Sequence, residues 1–313
     1  MSVTYLCWGI LEIYLAVLRS IGQVKASMIL NVLAFVLNII LNYIFIYGKL
    51  GLPAMGAFGA GLSTLIARTI MPIAYVIYML SHNHYKKYFK FFSKANFSFY
   101  THKSIAKLGL PIAIQLSLEC VSFSMVTIMM GWLSTVALAA YQIVLTFCTL
   151  TFQIACGVAS STTILVSHSF GRKDGKDVSA YSNGGLHLSF ITMGIAALCF
   201  IFFGRQITSW FSTDVTVIAQ GALLFIVAGG FQLIDGTQAT LLGALRGIND
   251  VSKPMKYSLI SYILFAIPMA YVLGFLLDLG PCGILSGEAL GLLLAAILYY
   301  QRLRKSVRKI TSC

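Results

Sequence analysis

Nine acidic residues are spread over 313 positions, and four of them, Glu12, Glu119, Asp235 and Glu288, fall within or at the edge of long apolar runs. A carboxylate in such a run costs several kcal/mol unless it is paired, hydrated or neutralised, so each marks a candidate functional site. Glu119 lies eleven residues after Leu108, where an apolar run begins. At about 1.5 Å of helical rise per residue this is roughly 17 Å into the run. Asp235 lies near the middle of the run 219–246. Two carboxylates at similar depth on one cavity repel when both are ionised, so one holds a proton or a Na+ sits between them. The structural alternative is a pair of interior acids satisfied by Gln115, Gln232, Gln238 or a hydroxyl.

The other polar groups give weaker signals. Glu288 is expected near the outer end of the last helix, where a hydrated interfacial position competes with a functional one. Glu12 precedes Arg19 by seven residues. Arg68 is the one basic residue expected deep in a span, and it either pairs with Glu12 or snorkels inward. Asp214 starts a helix as an N-cap, Asp174, Asp177 and Asp250 belong to loops, and Asp278 sits at an outer turn. Gln142, Gln153, Thr146, Thr149 and Thr151 interrupt an apolar segment, as interhelical hydrogen-bonding groups do in membranes. None of the seven cysteines forms C-x-x-C, and His82 and His84 lack Cys or acidic partners. No Ser/His/Asp set or metal framework is discernible, and His187 stands alone in its span, so the pattern argues against an enzyme. The glycines from Gly56 to Gly61 follow no strand, so they are no nucleotide fingerprint.

Membrane helices are the elements that must hold these acids. Hydrophobic residues make up 58% of the chain, charged residues 10%, and the mean hydropathy is +0.87. A soluble domain carries about 25% charged residues. The expected fold is therefore all-α, a polytopic membrane protein with nine helices near 3–18, 27–47, 55–80, 108–131, 136–168, 178–203, 214–244, 253–277 and 282–302. Residues 1–18 lack the basic start and the small-residue cleavage site of a signal peptide. A lysine-rich stretch, 81–107, separates residues 1–80 from 108–313. Counting alternate loops with that stretch inside places nineteen Lys and Arg in the cytoplasm and two, Lys49 and Arg205, outside. The C-terminus is then cytoplasmic. The net charge of +13 faces anionic lipid, so nucleic acid need not be a partner.

An internal repeat extends the reading. Leu18-Arg19-Ser20-Ile21-Gly22-Gln23-Val24 resembles Leu245-Arg246-Gly247-Ile248-Asn249-Asp250-Val251, and Met28 matches Met255 at the same offset of 227. Gly48, Pro53 and Gly56 fall opposite Gly274, Pro281 and Gly283. Helices one to three thus repeat helices seven to nine, as in transporters built from parallel repeats. About 120 residues, or three helices, are then expected before the present start, with a natural nine-helix form as the alternative.

Several stretches resemble the multidrug and toxic compound extrusion (MATE) transporters, particularly the NorM-like branch. Gly109-Leu110-Pro111-Ile112-Ala113 with Glu119 is similar to their seventh helix. Ala139-Ala140-Tyr141-Gln142 resembles the eighth. Phe231-Gln232-Leu233-Ile234-Asp235 with Leu245-Arg246-Gly247 resembles the tenth, and Asn42-Tyr43, Gly48, Pro53, Gly56 and Gly59-Ala60 the fifth and sixth. The resemblance implies two six-helix lobes around a cavity. Residues 1–80 then form part of the first lobe, equivalent to helices four to six; 81–107 is a cytoplasmic linker, and 108–313 is the complete second lobe. It implies a monomeric antiporter of the cell membrane that contacts lipid and exports cationic or amphipathic small molecules. Na+ or H+ would be the coupling ion at Glu119 and Asp235, with no other cofactor, and Phe123, Gln142 and Phe231 would line the cavity. Phe231 stands where NorM-like members can carry Tyr, and Tyr141 where members often have His. The acid on helix one used in part of the family would lie in the missing segment. Two further readings are a lipid-linked oligosaccharide flippase of the same superfamily, whose cavity would carry several basic groups, and a non-transporting fragment.

Overall fold

The computed structural model of the chain describes residues 9, 24–49, 51, 53–81 and 99–311. Eight helices among them are long and apolar enough to cross a bilayer: α1 Val24–Tyr47, α2 Gly56–Ser81, α3 Phe99–Leu133, α4 Thr135–Gly171, α5 Gly175–Ser209, α6 Val215–Gly247, α7 Ser252–Leu276 and α8 Gly280–Thr311. These are eight of the nine expected spans, and the chain is an all-helical, multi-pass membrane protein. The expected helix at 3–18, apart from Gly9, falls outside the described residues, as do Glu12 and Arg19.

Polar caps set the breaks between helices. Ser134 alone separates α3 from α4, and its Oγ accepts from the Ala137 N–H at 3.0 Å. Asp174 Oδ1 accepts from the Lys176 and Asp177 N–H groups at the start of α5. Asp214, the expected cap, accepts from the Thr216 N–H at 2.8 Å at the start of α6. Each cap satisfies amide donors that the first helical turn leaves orphaned. One boundary differs from expectation. Helix α3 starts at Phe99, so the last nine residues of the supposed linker 81–107 are helical. Neither Gly nor Pro interrupts 99–108, and Lys103 and Lys107 are good helix formers that stay exposed.

The chain divides into two compact units, one up to Ser98 and one from Phe99. In the first, α1 packs on α2. The Ser63 hydroxyl donates to Asn42 Oδ1, and Asn42 donates to Asn38 Oδ1 at 3.0 Å, so hydroxyl and amides satisfy one another across the apolar seam. In the second unit α6 is the central helix, packed on α4, α5 and α8. Small residues permit this closeness. Gly243 of α6 lies so near α4 that an added Cβ would stand 2.6 Å from the Ala159 carbonyl oxygen. Thr163 Oγ1 donates to the Gly243 carbonyl across the same seam at 2.8 Å. Helix α7 widens into π-helix over Leu259–Ala266 and Val272–Leu276. Pro268 lies between these segments and has no N–H to continue the ladder.

Candidate functional site

A cavity of about 550 Å³ lies within the second unit, walled by α3, α4 and α6. Helical spacing explains which side chains reach it. On α3, Glu119 and Phe123 are four residues apart and share a face. On α6, Phe231, Asp235, Gln238 and Arg246 recur at intervals of four, three and eight, again along one face, and all line the cavity. The rings of Phe123 and Phe231 meet edge to face, with centroids 6.1 Å apart. Arg246 Nη2 donates to Gln115 Oε1 at 3.4 Å. The two contacts pair a later residue of α3 with an earlier one of α6, so the helices run antiparallel. Glu119 precedes Phe123 by one turn and Asp235 follows Phe231 by one turn. Both carboxylates therefore lie on the same side of the aromatic pair, at similar height.

The structural alternative named three amides or a hydroxyl as partners of the two acids, and each amide is hydrogen-bonded to another group. Gln115 donates to the Tyr299 hydroxyl at 3.3 Å. Gln232 donates to Thr151 Oγ1, and Gln238 to the Tyr262 hydroxyl at 2.6 Å. Asp235 is 4% exposed, and its Oδ1 has no hydrogen-bond partner, as is also true of Gln238 Oε1. Glu119 and Asp235 lie within charge–charge range of each other. Buried acceptors without donors fit a proton or a hard cation, which oxygen ligands bind. No three His, Cys, Asp or Glu converge as a metal site among the described residues, so a Na+ here would complete its shell with amide oxygens and water.

Three sequence-based placements change. Gln142 is exposed on α4 and is not among the residues lining the cavity, because its neighbour Tyr141 takes the buried face. Arg246, counted with the cytoplasmic loops, lies in the last turn of α6 and forms the cavity's basic end. It is about 16 Å along the helix from Asp235 at ~1.5 Å per residue. Glu288, expected near the outer end of the last helix with a hydrated and a functional position both open, is 0% exposed and accepts from Ser122 Oγ at 2.9 Å to each carboxylate oxygen. The helix starts at Gly280, which puts Glu288 about 12 Å inside it at ~1.5 Å per residue. Arg68 is half-buried in α2. Sequence reasoning also missed Cys120, Cys148 and Cys156 as cavity residues. Cys148, Phe152 and Cys156 recur every four residues on α4, a spacing that lets them share one face.

Comparison with known proteins agrees with this architecture. The MatE family profile matches residues 111–272. A probable multidrug resistance protein NorM of Bacillus subtilis (strain 168) is 31% identical over 308 residues, covering 96% of this chain and 68% of the relative. A protein of the same description from Listeria innocua is 34% identical over 312 residues, with 98% and 68% covered. A solved multidrug resistance MATE family transporter of the MOP superfamily, in an outward-facing conformation, shares the fold with a TM-score of 0.85. That match has 17% identity and covers 97% of this chain and 67% of the other. The shared profile, and relatives above 30% identity along nearly the whole sequence, make this chain a member of the MATE family of multidrug transporters.

Proposed function

We propose that the chain works as a secondary antiporter of the cell membrane, exporting cationic or amphipathic small molecules in exchange for Na+ or H+ bound at Glu119 and Asp235. The observation that carries this reading is the unpartnered, buried carboxylate oxygen of Asp235 on the wall of the cavity. A negative group held without a donor has affinity for whatever positive species reaches it, whether proton, Na+ or organic cation. These species compete for the same charge. Occupancy by the coupling ion therefore disfavours the substrate cation, which is the differential affinity that antiport needs. The cavity has the size of small-molecule sites. The faces of Phe123 and Phe231 offer apolar contact and cation–π attraction beside the acids. A flippase for anionic lipid-linked sugars would need several basic groups. Two acids and one arginine line this cavity, which favours a positive cargo.

The purified chain is the test material. Binding of tetraphenylphosphonium should weaken as Na+ or H+ is raised, and the competition should vanish in Glu119→Gln and Asp235→Asn. In proteoliposomes, efflux of a fluorescent lipophilic cation under imposed Na+ or pH gradients should fail in the same two variants. Asp214→Asn, at an exposed cap, serves as the control. Undiminished competition in both variants would refute the site. The proposed orientation has the C-terminus in the cytoplasm, on the strength of the Lys and Arg asymmetry. Labelling of Cys313 by an impermeant thiol reagent applied outside intact cells, with the other cysteines replaced, would contradict it.

A further inference from the structure

Glu288 has no part in the cavity, yet it is a fully buried acid in a membrane helix. Ser122, three residues after Glu119 on α3, is buried and is not among the residues lining the cavity. One hydroxyl shared by both carboxylate oxygens is the only hydrogen-bonding partner of Glu288 among the described residues. An ionised carboxylate has about four lone-pair sites to satisfy, whereas a protonated acid has one O–H to give and few to receive. A serine hydroxyl serves either form by turning: it donates to the carboxylate or accepts from the acid. The arrangement therefore tolerates a change of protonation without rebuilding its surroundings.

The charge balance makes such a change consequential. Glu288 lies within charge–charge range of Glu119 and Asp235. The other titratable groups that face it are the hydroxyls of Tyr141 on α4 and Tyr262 on α7. Arg246 is the cluster's base, and it is engaged with Gln115 and in range of Glu119. Three carboxylates against one guanidinium leave two surplus negative charges within a membrane-spanning bundle, which tolerates them best when protons or cations neutralise them. The orphaned Oδ1 of Asp235 marks one place for such a charge. Glu288 is poorly suited to a metal cation, because hard metal ions gather around six or more oxygen ligands and only the Ser122 hydroxyl is hydrogen-bonded to the carboxylate here.

We propose that Glu288 and Ser122 form a third ion-carrying position of this unit, a proton site behind the cavity wall that loads and unloads in opposite phase to the Glu119–Asp235 pair. The coupling has a definite sign. A cation bound at the pair removes repulsion felt by Glu288 and promotes release of its proton; an empty, ionised pair favours retention. The link to transport rests on the antiport reading above, but proton binding at Glu288 does not.

The test is infrared difference spectroscopy with parallel proton counting on the full chain in liposomes. Between acid and alkaline buffer a protonated-carboxyl band should bleach, vanish in Glu288→Gln and shift in Ser122→Ala. Tetraphenylphosphonium should release protons from the wild type, about one fewer per chain in Glu288→Gln. Identical spectra and proton counts in Glu288→Gln and wild type would overturn the proposal. Should Glu288→Gln fail to fold, Ser122→Ala decides, and an unshifted band in it also overturns the proposal. If the cation releases nothing while the buffer-driven band still depends on Glu288, the antiport reading fails and the proton site stands.

Discussion

The seam between α4 and α6 sets the width of the cavity, and it can be perturbed by a single carbon. In Gly243→Ala the new Cβ would stand 2.6 Å from the Ala159 carbonyl oxygen and 3.0 Å from Thr163 Oγ1, whereas ordinary contact begins near 3.4 Å. The helices must separate by the difference, 0.8 Å, at a point where both neighbours are fixed. The carbonyl belongs to the backbone of α4, and the threonine hydroxyl donates at 2.8 Å to both Ala159 and Gly243. Overpacking of this kind costs about 1–3 kcal/mol. It is offset by the gain of ~1 kcal/mol that alanine brings over glycine within a helix. Gly157→Ala isolates the two effects, because Gly157 lies on α4 with nothing within 4 Å of the added carbon. Both variants carry the propensity gain, and only Gly243→Ala carries the clash.

Thermal unfolding of the purified chain in detergent should therefore place Gly243→Ala below Gly157→Ala by roughly 2–12 °C, at ~2–4 °C per kcal/mol for a unit of this size. Cys156 lies one turn from Ala159 on the cavity wall and reports the same displacement, so its alkylation by a small maleimide should speed up in Gly243→Ala alone. Coincident melting and equal alkylation in the two variants would refute the claim that Gly243 is present for close approach.

Three other outcomes follow from single contacts. Ser134→Ala removes the cap of α4 and should cost about 1 kcal/mol, with recovery in Ser134→Asp, read by the same unfolding assay. Arg302 Nε donates to Asp250 Oδ2 at 2.5 Å, tying the end of α8 to the α6–α7 connection. Because both are largely shielded, Arg302→Gln should destabilise more than Asp250→Asn, and a double-mutant cycle should give a coupling above that of an exposed pair, ~0.2–1 kcal/mol. Cys120 and Cys156 line the cavity beside the acids, so saturating tetraphenylphosphonium should slow their alkylation at least severalfold in the wild type and not in Asp235→Asn.

Much of this arrangement is legible in the sequence because hydropathy reports what a bilayer demands of every span. The limits expected for α4 and α6, 136–168 and 214–244, fall within a few residues of Thr135–Gly171 and Val215–Gly247. Asp214 is legible as a cap because its short acceptor precedes an apolar run. Depth is legible for Glu119 and Asp235, since residue count along a helix converts directly to distance. Direction around the helix axis is not. Each residue turns about 100° from the last, so Gln142 looks outward while Tyr141 is buried, although both are polar in an apolar run. Glu288 was misplaced for a related reason: hydropathy does not say that α3 presents Ser122 to it. Arg246 reads as a loop residue because Gly247, Asn249 and Asp250 follow it, yet the helix holds through that turn and a long side chain reaches back to Gln115.

The position of α6 gives these errors a common meaning. Its cavity face carries Phe231, Asp235, Gln238 and Arg246, and its other faces are closed on α5 and α8 by buried side chains and glycines. A carboxylate oxygen can be kept without a donor only on an element that cannot tilt away from its neighbours, because a loose helix would bring a donor to Asp235. The packing that makes α6 the core of the unit is therefore the same packing that keeps Asp235 unsatisfied. Loss of ion binding and loss of fold will accompany each other for substitutions on the buried faces of α6, such as Gly236, which adjoins Met193 and Ser189. They should separate for isosteric changes on the cavity face. Asp235→Asn, with the shape kept and the charge removed, should unfold at or above the wild-type temperature, since it relieves an uncompensated buried group. If it unfolds well below, Asp235 holds the fold together, and the ion site must be sought elsewhere.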